Sequence, residues 1–299
     1  MKISSLLAQR PTVSFEIFPP KKESGDLSSI YENIAQLAEL KPDFISVTYG
    51  AGGSTTDYTV EIAAAIKEKY GVEAVAHLSC IDATADHLHE ILGRLKAANI
   101  ENILALRGDY PQGYDPITAP REFQYASDLD AFIKAHYGDT FCLSGACYPE
   151  VHQEADSLEA DLDAMEAKVK AGADYLITQI FFDNRYYYRL VREARNRGIT
   201  VPILAGIMPV INGKQLIRIA HMSGCSIPYE LSAMIERFNK NQVAMGQVGV
   251  NYASNQIMDL ITNGVDGIHL YTMNRPAVAK EIMARTGAIL DVFTGREHQ

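Results

Sequence analysis

The chain has 299 residues, 47% of them hydrophobic and 21% charged, which is typical of a soluble globular protein with a sizeable core. Its 27 basic and 37 acidic side chains give a formal net charge of −10, which argues against nucleic acid or an anionic membrane as the main partner. No stretch reaches the ~18 apolar residues of a membrane span, so we expect no membrane association.

The N-terminal residues 1–10 have too short an apolar run for a secretion signal. The four cysteines form no CxxC pair, and in a large acidic chain they indicate reduced thiols. We therefore expect a cytoplasmic protein. The alternative, a metal or cluster site at Cys142 and Cys147, is disfavoured because a strand of small residues accounts for both.

Short apolar runs alternate with amphipathic segments from end to end, which is typical of β-strands alternating with helices. Leu88, Ile91, Leu92 and Leu95, for example, follow the spacing of one helix face. The strand-like runs cover residues 13–18, 44–49, 74–80, 102–107, 142–148, 175–182, 202–208 and 267–273. Eight strands in about 300 residues predict an α/β protein, a (β/α)8 TIM barrel, as a single catalytic domain over residues 1–299.

Periodicity does not report closure of a sheet, so an open doubly wound sheet remains the alternative fold. One interval between predicted strands is long, residues 209–266, and it shows helical patterns over 213–222, 228–238 and 241–263. We interpret it as extra helices between strands 7 and 8, in the loop region where barrels usually bind ligands.

The first predicted strand carries a carboxylate on the face opposite its apolar residues. Val13, Phe15 and Ile17 should face the helices, and Glu16 should then point into the barrel lumen. A carboxylate there is costly unless it has partners or takes up a proton, a cost commonly tolerated for chemistry. The alternative is a structural Glu16 paired with an inward Arg or Lys.

Polar residues follow the predicted strands at the ends that a barrel brings to one face. They are Glu16, Thr48, His77, Arg107, Asp109, Tyr148, Glu150, His152, Gln179, Tyr271 and Arg275. The chain has no HxH on a strand and no HExxH on a helix, which disfavours a metal hydrolase. It also has no GxGxxG after a strand, so a flavin or nicotinamide would bind in the barrel mouth.

Two segments suit phosphate binding, although each has a simpler explanation. The glycine-rich run over residues 50–57 offers backbone N–H groups and a helix N-terminus, or is only a flexible turn with an N-cap. Lys168 shares a helix stripe with Asp161 and can reach a phosphate, or is only solvated.

Ten motifs, in order, are similar to those of the bacterial methylenetetrahydrofolate reductases. They are SFEIFPP (14–20), SVTYGAGG (46–53), AHLSCIDAT (76–84), ILALRGDYP (103–111), YASDL (125–129), YPEVHQEA (148–155), ADLDAMEAKVKAGAD (160–174), ITQIFFD (177–183), GIMPV (206–210) and HLYTMNRP (269–276). The chain resembles this family over nearly its whole length. The resemblance implies a (β/α)8 barrel that uses FAD to reduce 5,10-methylenetetrahydrofolate to 5-methyltetrahydrofolate, in one-carbon metabolism and methionine biosynthesis, with NADH as the default donor.

The resemblance also assigns roles to single residues. Glu16 corresponds to the general acid that promotes opening of the folate imidazolidine ring, and burial is expected to favour its protonated form. Asp109 corresponds to the carboxylate that supports the iminium cation, and Gln179 to an amide partner of pterin and nicotinamide. Tyr271 and Arg275 correspond to residues near the substrate. The implied FAD contacts are Thr48, His77, Leu106, Arg107, Gly108, Asp109, Tyr125, Ala126, Tyr148, His152, Asp161 and Lys168.

The chain departs from the family pattern at three positions. Gly213 stands where bacterial members carry a phenylalanine that packs on nicotinamide and pterin, so Phe181 or a residue of the insertion is expected to replace it. Ala164 and Ala167 stand where the family often has asparagine and arginine, which implies weaker flavin binding or other contacts.

Several alternatives stay open for the partners and for the reaction. We expect a folate substrate, a homo-oligomer and no nucleic acid. Electrons delivered by a partner subunit, a flavin-free barrel reductase or lyase, and a folate-binding or complex-forming subunit without activity are the alternatives. The presence of Glu16 and Asp109 argues against the last, since a pure binder has no need of an acid.

Overall fold

The computed structural model describes residues 1–20, 27–49, 56–110 and 121–295. Eight strands lie where the apolar runs predicted them, with ends that differ by a few residues. They are β1 (Thr12–Ile17), β2 (Phe44–Val47), β3 (Glu73–Ser79), β4 (Asn102–Leu106), β5 (Cys142–Cys147), β6 (Ala173–Thr178), β7 (Ile203–Ile207) and β8 (Gly267–Tyr271).

The strands close into a barrel in sequence order, since β8 pairs with β1 as well as with β7. All eight pairings are parallel, and Glu16 of β1 aligns with Ser46 of β2 and Tyr271 of β8. The predicted (β/α)8 TIM barrel is confirmed, and the open doubly wound sheet is wrong. Parallel closure brings the carboxyl ends of all the strands to one face, where barrels bind ligands.

Helices cover the outside of the barrel, and several begin at a capping side chain such as Thr84, Ser157 or Asp183. They are α1 (Ile3–Leu7), α2 (Ser28–Ala38), α3 (Thr56–Tyr70), α4 (Ala85–Ala97), α5 (Ala126–Tyr137), α6 (Leu158–Ala171), α7 (Asn184–Asn196), α8 (Gly213–Ser223), α9 (Tyr229–Phe238), α10 (Gln242–Thr262) and α11 (Pro276–Thr294). None of the helices in the described ranges is both long and apolar enough to cross a membrane.

The insertion between β7 and β8 consists of α8, α9 and α10, as the sequence predicted. Its third helix passes so close to the end of β7 that a Cβ on Gly249 would lie 1.9 Å from the carbonyl oxygen of Val210. Only a residue without a side chain permits this approach. Leu216, Leu231 and Met245 then join the three helices in a small apolar cluster of their own.

Two apolar layers fix the orientation of the strands. Val13, Phe15 and Ile17 point outward and pack with the helices in the main core. The lower lumen is filled separately by side chains that include Phe44 and Tyr175, and Ile3 of α1 packs with them. Glu16 has the opposite parity and faces the lumen, as predicted.

Candidate active site

A cavity of about 910 Å³ opens at the carboxyl ends of the strands, near the upper end of the volumes usual for small-molecule sites. Nearly all of the predicted site residues line it. They are Glu16, Thr48, His77, Leu106, Arg107, Gly108, Asp109, Tyr125, Ala126, Tyr148, His152, Asp161, Lys168, Gln179 and Tyr271. Arg275 is the exception, because it is exposed at the N-cap of α11 and is not part of the cavity wall.

Glu16 lies at the base of the cavity between two histidines. Its Oε2 is 3.5 Å from Nε2 of His77 and 3.6 Å from Nε2 of His269, both longer than a good hydrogen bond. His269 is held from behind, because its Nδ1 shares a hydrogen bond of 2.7 Å with Ser14 Oγ. Among the described residues, the ion-pair partners of Glu16 are these two imidazoles and include no Arg or Lys, which disfavours the alternative of a structural Glu paired with Arg or Lys.

His77 is buried without a hydrogen-bond partner at Nε2 among the described residues. Burial lowers the pKa of its imidazole from 6.5 to about 4, although the nearby Glu16 opposes this. The ring is therefore neutral at pH 7, and an unpaired buried nitrogen is expensive unless a ligand or water completes it. The unpaired Nε2 of His77 therefore indicates that the base of the cavity binds a polar group or a water.

The strand end at β4 depends on a glycine. Gly108 has φ +90°, and a Cβ there would lie 2.0 Å from Ser79 Oγ, which itself donates to the Arg107 carbonyl at 2.8 Å. The chain can therefore turn here only with glycine. The turn sets Arg107 and the exposed Asp109 side by side at the cavity mouth.

Arg107 is engaged by an acidic neighbour in this structure. Its guanidinium forms a two-point contact with the carboxylate of Glu154 and stands over the ring of Tyr110 at 4.8 Å. The Glu154 hydrogen bond raises the pKa of Arg107, so the guanidinium is charged at any working pH. An anionic ligand at Arg107 would have to share it with Glu154.

The loop after β5 carries an ordered histidine. The His152 amide donates to Asp161 Oδ2 at 3.1 Å, and His152 Nδ1 accepts from the Glu154 amide at 3.0 Å. The neutral ring therefore bears its hydrogen on Nε2. Its edge meets the ring of Tyr148, with centroids 4.5 Å apart, and burial raises the pKa of that phenol to about 12.

Lys168 is not a solvated surface lysine, because its ammonium donates to the Ala146 carbonyl at the inner wall of the cavity. Burial lowers its pKa, an effect opposed by the nearby Cys147 and Asp161. Among the described residues that line the cavity, Arg107 and Lys168 are the only Lys or Arg side chains. Ala164 and Ala167 line the same wall, so the family's missing asparagine and arginine would have stood in the cavity.

The ends of β6 and β8 position Gln179 and Tyr271. Gln179 Oε1 accepts from the Ile180 amide at 2.9 Å, which leaves its NH2 group to donate to a ligand. Tyr271 donates to the Thr178 carbonyl at 2.7 Å, and its ring fills the space over Gly206. Gln179 follows β6, the neighbour of β5, whereas Tyr271 ends β8, which lies opposite β4 in the eight-stranded barrel.

Besides Arg275, three positions differ from what the sequence led us to expect. Phe181 is fully buried and stacks on Tyr187, so it does not replace the missing aromatic. Position 213 faces α9, because a Cβ on Gly213 would lie 2.5 Å from Ile235 Cγ2. Glu150 does not join the cavity wall. The glycine-rich run over residues 50–57 lies outside the described residues, apart from the backbone at the start of α3.

Sequence reasoning also missed residues that shape the site. His269 could have been found from the alternation of side chains along β8. It lies two residues before Tyr271, so both side chains are on the face that points into the lumen. Ile219 and Ser223 of α8 line the cavity, and Ile219 is the insertion's apolar contribution to the wall. Among the described residues, no group of three or more His, Cys, Asp or Glu side chains is arranged to hold a metal ion.

Comparisons with known proteins agree with one another. A family model described as methylenetetrahydrofolate reductase matches residues 2–287. The chain is 40% identical to "5,10-methylenetetrahydrofolate reductase" of Escherichia coli (strain K12), covering 92% of this chain and 90% of that one. It is 37% identical to "Methylenetetrahydrofolate reductase (NADH) 1" of Arabidopsis thaliana over 96% of this chain, and it spans only 50% of that protein's length. The plant relatives from rice and maize are matched over half their length as well.

Among solved structures, a Clostridium thermocellum protein that binds two copies of 5-methyl-5,6,7,8-tetrahydrofolic acid superposes with a TM-score of 0.67. The match covers 98% of this chain and all of that one at 15% identity. At that identity the likeness speaks for the fold alone, and it agrees with the closed barrel.

Proposed function

The chain belongs to the methylenetetrahydrofolate reductase family, and from that premise we propose that it reduces 5,10-methylenetetrahydrofolate to 5-methyltetrahydrofolate with FAD as cofactor and NADH as donor. The observation that carries the proposal is Glu16, a buried carboxyl at the base of the cavity between two imidazoles. The names of the plant relatives support NADH, and the names of the bacterial relatives support methylenetetrahydrofolate as the substrate.

The residues present fit a flavin. The cavity is large enough for a flavin and a second ring system, and the side-chain-free backbone at Gly108 permits close approach of a ring. Arg107 and Lys168 would hold the phosphates, with His152 Nε2–H as a further donor. When bound, the flavin supplies the hydride chemistry, while the protein supplies placement and electrostatics.

Two carboxyl groups of the chain, those of Glu16 and Asp109, would assist the two steps in which charge develops on the folate. Opening of the imidazolidine ring makes N10 a leaving group, and Glu16 delivers the proton that it needs. The ring that remains is an iminium cation, and the carboxylate of Asp109 stabilises that positive charge. The two residues stand on β1 and after β4, so substrate bridges the lumen from base to mouth.

The remaining residues orient the ligands. Gln179 donates through its free amide NH2, and Tyr271, whose hydroxyl donates to the Thr178 carbonyl, contributes its ring to the cavity wall. Neutral His77 accepts or donates at Nε2 without adding charge beside Glu16. One cavity that serves both the donor and the folate implies that they bind in turn, a ping-pong sequence.

Ala164 and Ala167 favour a second candidate, the same folate reduction without a tightly held flavin, because they remove two polar contacts from the cavity wall. Electron delivery by a partner subunit is a third. An anaerobic absorption spectrum separates the three. We expect a flavin band that bleaches with NADH and returns with methylenetetrahydrofolate.

The other outcomes of that titration are equally informative. A flavin band that ignores NADH would overturn the donor and indicate a partner subunit. A protein that contains no flavin and does not bind added FAD, yet reduces the folate with NADH, would favour the flavin-free reductase.

A further inference from the structure

The loop that joins β5 to α6, residues 148–157, holds the C-terminal end of α8 through one side chain. Gln153 Nε2 donates to the carbonyl oxygens of His221 at 2.9 Å and Met222 at 3.2 Å. These are carbonyls of the last helical turn, which have no partner within a helix. Gln153 therefore caps α8 from outside the helix.

The glycine that ends α8 makes room for this contact. Gly224 has φ +69°, and a Cβ there would lie 2.6 Å from Cγ of Gln153. The Gln153 side chain thus packs over the glycine while its amide reaches the two carbonyls. The arrangement depends on both residues together, which indicates a specific contact and not a chance surface approach.

A second hydrogen bond joins the same loop to the residues that follow α8. Glu150 Oε2 accepts from the Ser226 amide at 2.9 Å, just beyond α8, and Arg189 of α7 donates to the Pro149 carbonyl at 3.3 Å. Between Glu150 and Gln153, Val151 has φ +75°, an unfavourable conformation for a β-branched residue. Such a conformation persists only where the surroundings fix it, so the loop is held under constraint at this point.

The same loop and the same helix both form the cavity wall. The loop contributes Tyr148 and His152, which we assign to the flavin side, and α8 contributes Ile219 and Ser223. Because position 213 faces α9, Ile219 is the apolar side chain that α8 contributes to the described cavity wall. Its position depends on where the C-terminal turn of α8 is held.

We propose that Gln153 is a positioning residue that fixes α8 against the β5–α6 loop and so sets the substrate side of the cavity. The inference rests on the proposed function, because it assigns that side to the folate. It predicts that loss of the Gln153 contact weakens folate binding while the chemical groups, Glu16 and Asp109, remain in place.

Four variants test it. Gln153→Ala removes the contact, Gln153→Glu places a carboxylate against two carbonyl oxygens, and Gln153→Lys retains a donor and adds a cation at a helix C-terminus. The matched control is Gln36→Ala on α2, where Gln36 Nε2 also donates to a helix carbonyl, that of Glu32 at 3.4 Å. Gln36 is exposed and does not line the cavity.

The first readout is hydrogen exchange over residues 213–225, whose last amides, Gly224 and Cys225, donate to the Ala220 carbonyl. The second is steady-state kinetics. Because one hydrogen bond contributes modestly, we expect Gln153→Ala and Gln153→Glu to raise KM for methylenetetrahydrofolate about 3- to 10-fold, with kcat changed less than about twofold. Exchange in α8 should rise in these two variants and stay at the parent level in Gln153→Lys and Gln36→Ala.

Faster exchange with an unchanged KM would overturn the positioning role, and unchanged exchange would overturn the contact itself. A fall in kcat with KM unchanged would also contradict the proposal, since it would place Gln153 in the chemistry. A parent without reductase activity would overturn the proposed function, and the exchange data alone would then decide whether Gln153 holds α8.

Discussion

The ring of Tyr271 occupies the space that a side chain at position 206 would take. A Cβ on Gly206 would lie 2.6 Å from Cε2 and 2.8 Å from Oη of Tyr271, and 2.4 Å from the Thr178 carbonyl oxygen that Tyr271 donates to. The absence of a side chain at Gly206 of β7 therefore leaves the space that the ring of Tyr271 occupies in the cavity wall.

Gly206→Ala should displace Tyr271 from this position. Overpacking of this kind typically costs about 1–3 kcal/mol of stability, and we expect KM for the folate to rise about tenfold as well. Gly93→Ala on α4 is the control, because a Cβ there meets nothing within 4 Å. The control should keep its KM and gain up to about 1 kcal/mol of stability from helix propensity. A Gly206→Ala enzyme with the parent's KM would show that Tyr271 does not bind the folate.

Glu16→Gln should separate the two half-reactions. The amide keeps the size of the side chain between His77 and His269 but has no proton to deliver to N10. We expect flavin reduction by NADH to proceed near the parent rate, while reoxidation by methylenetetrahydrofolate falls by about 10²–10⁴-fold. Stopped-flow absorbance of the flavin measures both steps. Full-rate reduction of the folate by the variant would remove Glu16 from the proposed role.

The sequence predicted the strands well because each buried strand shows as a local run of apolar residues. It misjudged the end of a strand where the apolar residues that follow pack in a different cluster. The run over residues 175–182 predicted a strand through Phe182, yet β6 ends at Thr178. Ile180 and Phe182 are apolar because they pack with Met208 and the insertion, not because they continue the sheet. Periodicity alone could not report closure, because closure depends on how β8 meets β1 at opposite ends of the chain, and only the count of eight strands indicated it.

A site residue was predictable from the sequence where its position depends only on its own strand. Parity placed Glu16 in the lumen from the alternation of β1 alone. Gln153 escaped notice because its contacts, at His221 and Met222, lie 68 and 69 residues further along the chain. Gly213 was misjudged for the same reason, since its neighbour Ile235 belongs to a different helix, α9.

The buried imidazole of His77 should make the protein less stable in mild acid. In the unfolded chain this histidine takes up a proton near pH 6.5, whereas in the folded protein it does so only near pH 4. Between these values the unfolded state binds more protons, so the free energy of unfolding falls as the pH falls, by at most about 1.4 kcal/mol per pH unit. Above pH 6.5 the contribution of His77 to the free energy of unfolding does not change with pH.

His77→Gln should remove this slope, whatever its effect at pH 7. Urea unfolding of parent and variant at several pH values between 4 and 7 measures it. Parallel curves for the two proteins would mean that His77 is protonated in the folded state as readily as in the unfolded chain.

Asp130 of α5 is fully buried, and neither carboxyl oxygen has a hydrogen-bond partner among the described residues. Burial raises its pKa well above 3.8, although Lys168 and Lys134 oppose the shift. The folded state therefore holds the proton at pH values where the unfolded chain has lost it, and stability declines as the pH rises through that window.

Asp130→Asn should be more stable than the parent at pH 8 by about 1–3 kcal/mol, and the advantage should shrink towards pH 4. Thermal unfolding at both pH values checks it. Asp82→Asn, at an exposed position, should change stability by less than about 0.5 kcal/mol. A less stable Asp130→Asn protein at pH 8 would instead mean that an ionised Asp130 compensates the buried charge of Lys168.

Ala167→Arg should strengthen flavin binding. Position 167 lies in the cavity wall one residue before Lys168, and Arg107 is already shared with Glu154, so the described part of the wall has little free positive charge for two phosphates. A guanidinium there can form charge-assisted hydrogen bonds to a phosphate, and it is near the C-terminal end of α6, where a cation is favoured.

We expect the FAD dissociation constant of Ala167→Arg to fall about 5- to 30-fold, which corresponds to about 1–2 kcal/mol. Quenching of flavin fluorescence by the apoprotein measures it, and the gain should shrink at high salt because the new contact is ionic. Ala288→Arg makes the same change at an exposed position on α11 outside the cavity and should leave the affinity unchanged. An equal gain in both variants would reflect the overall charge of the acidic chain, and no gain in either would mean that the phosphates do not lie against α6.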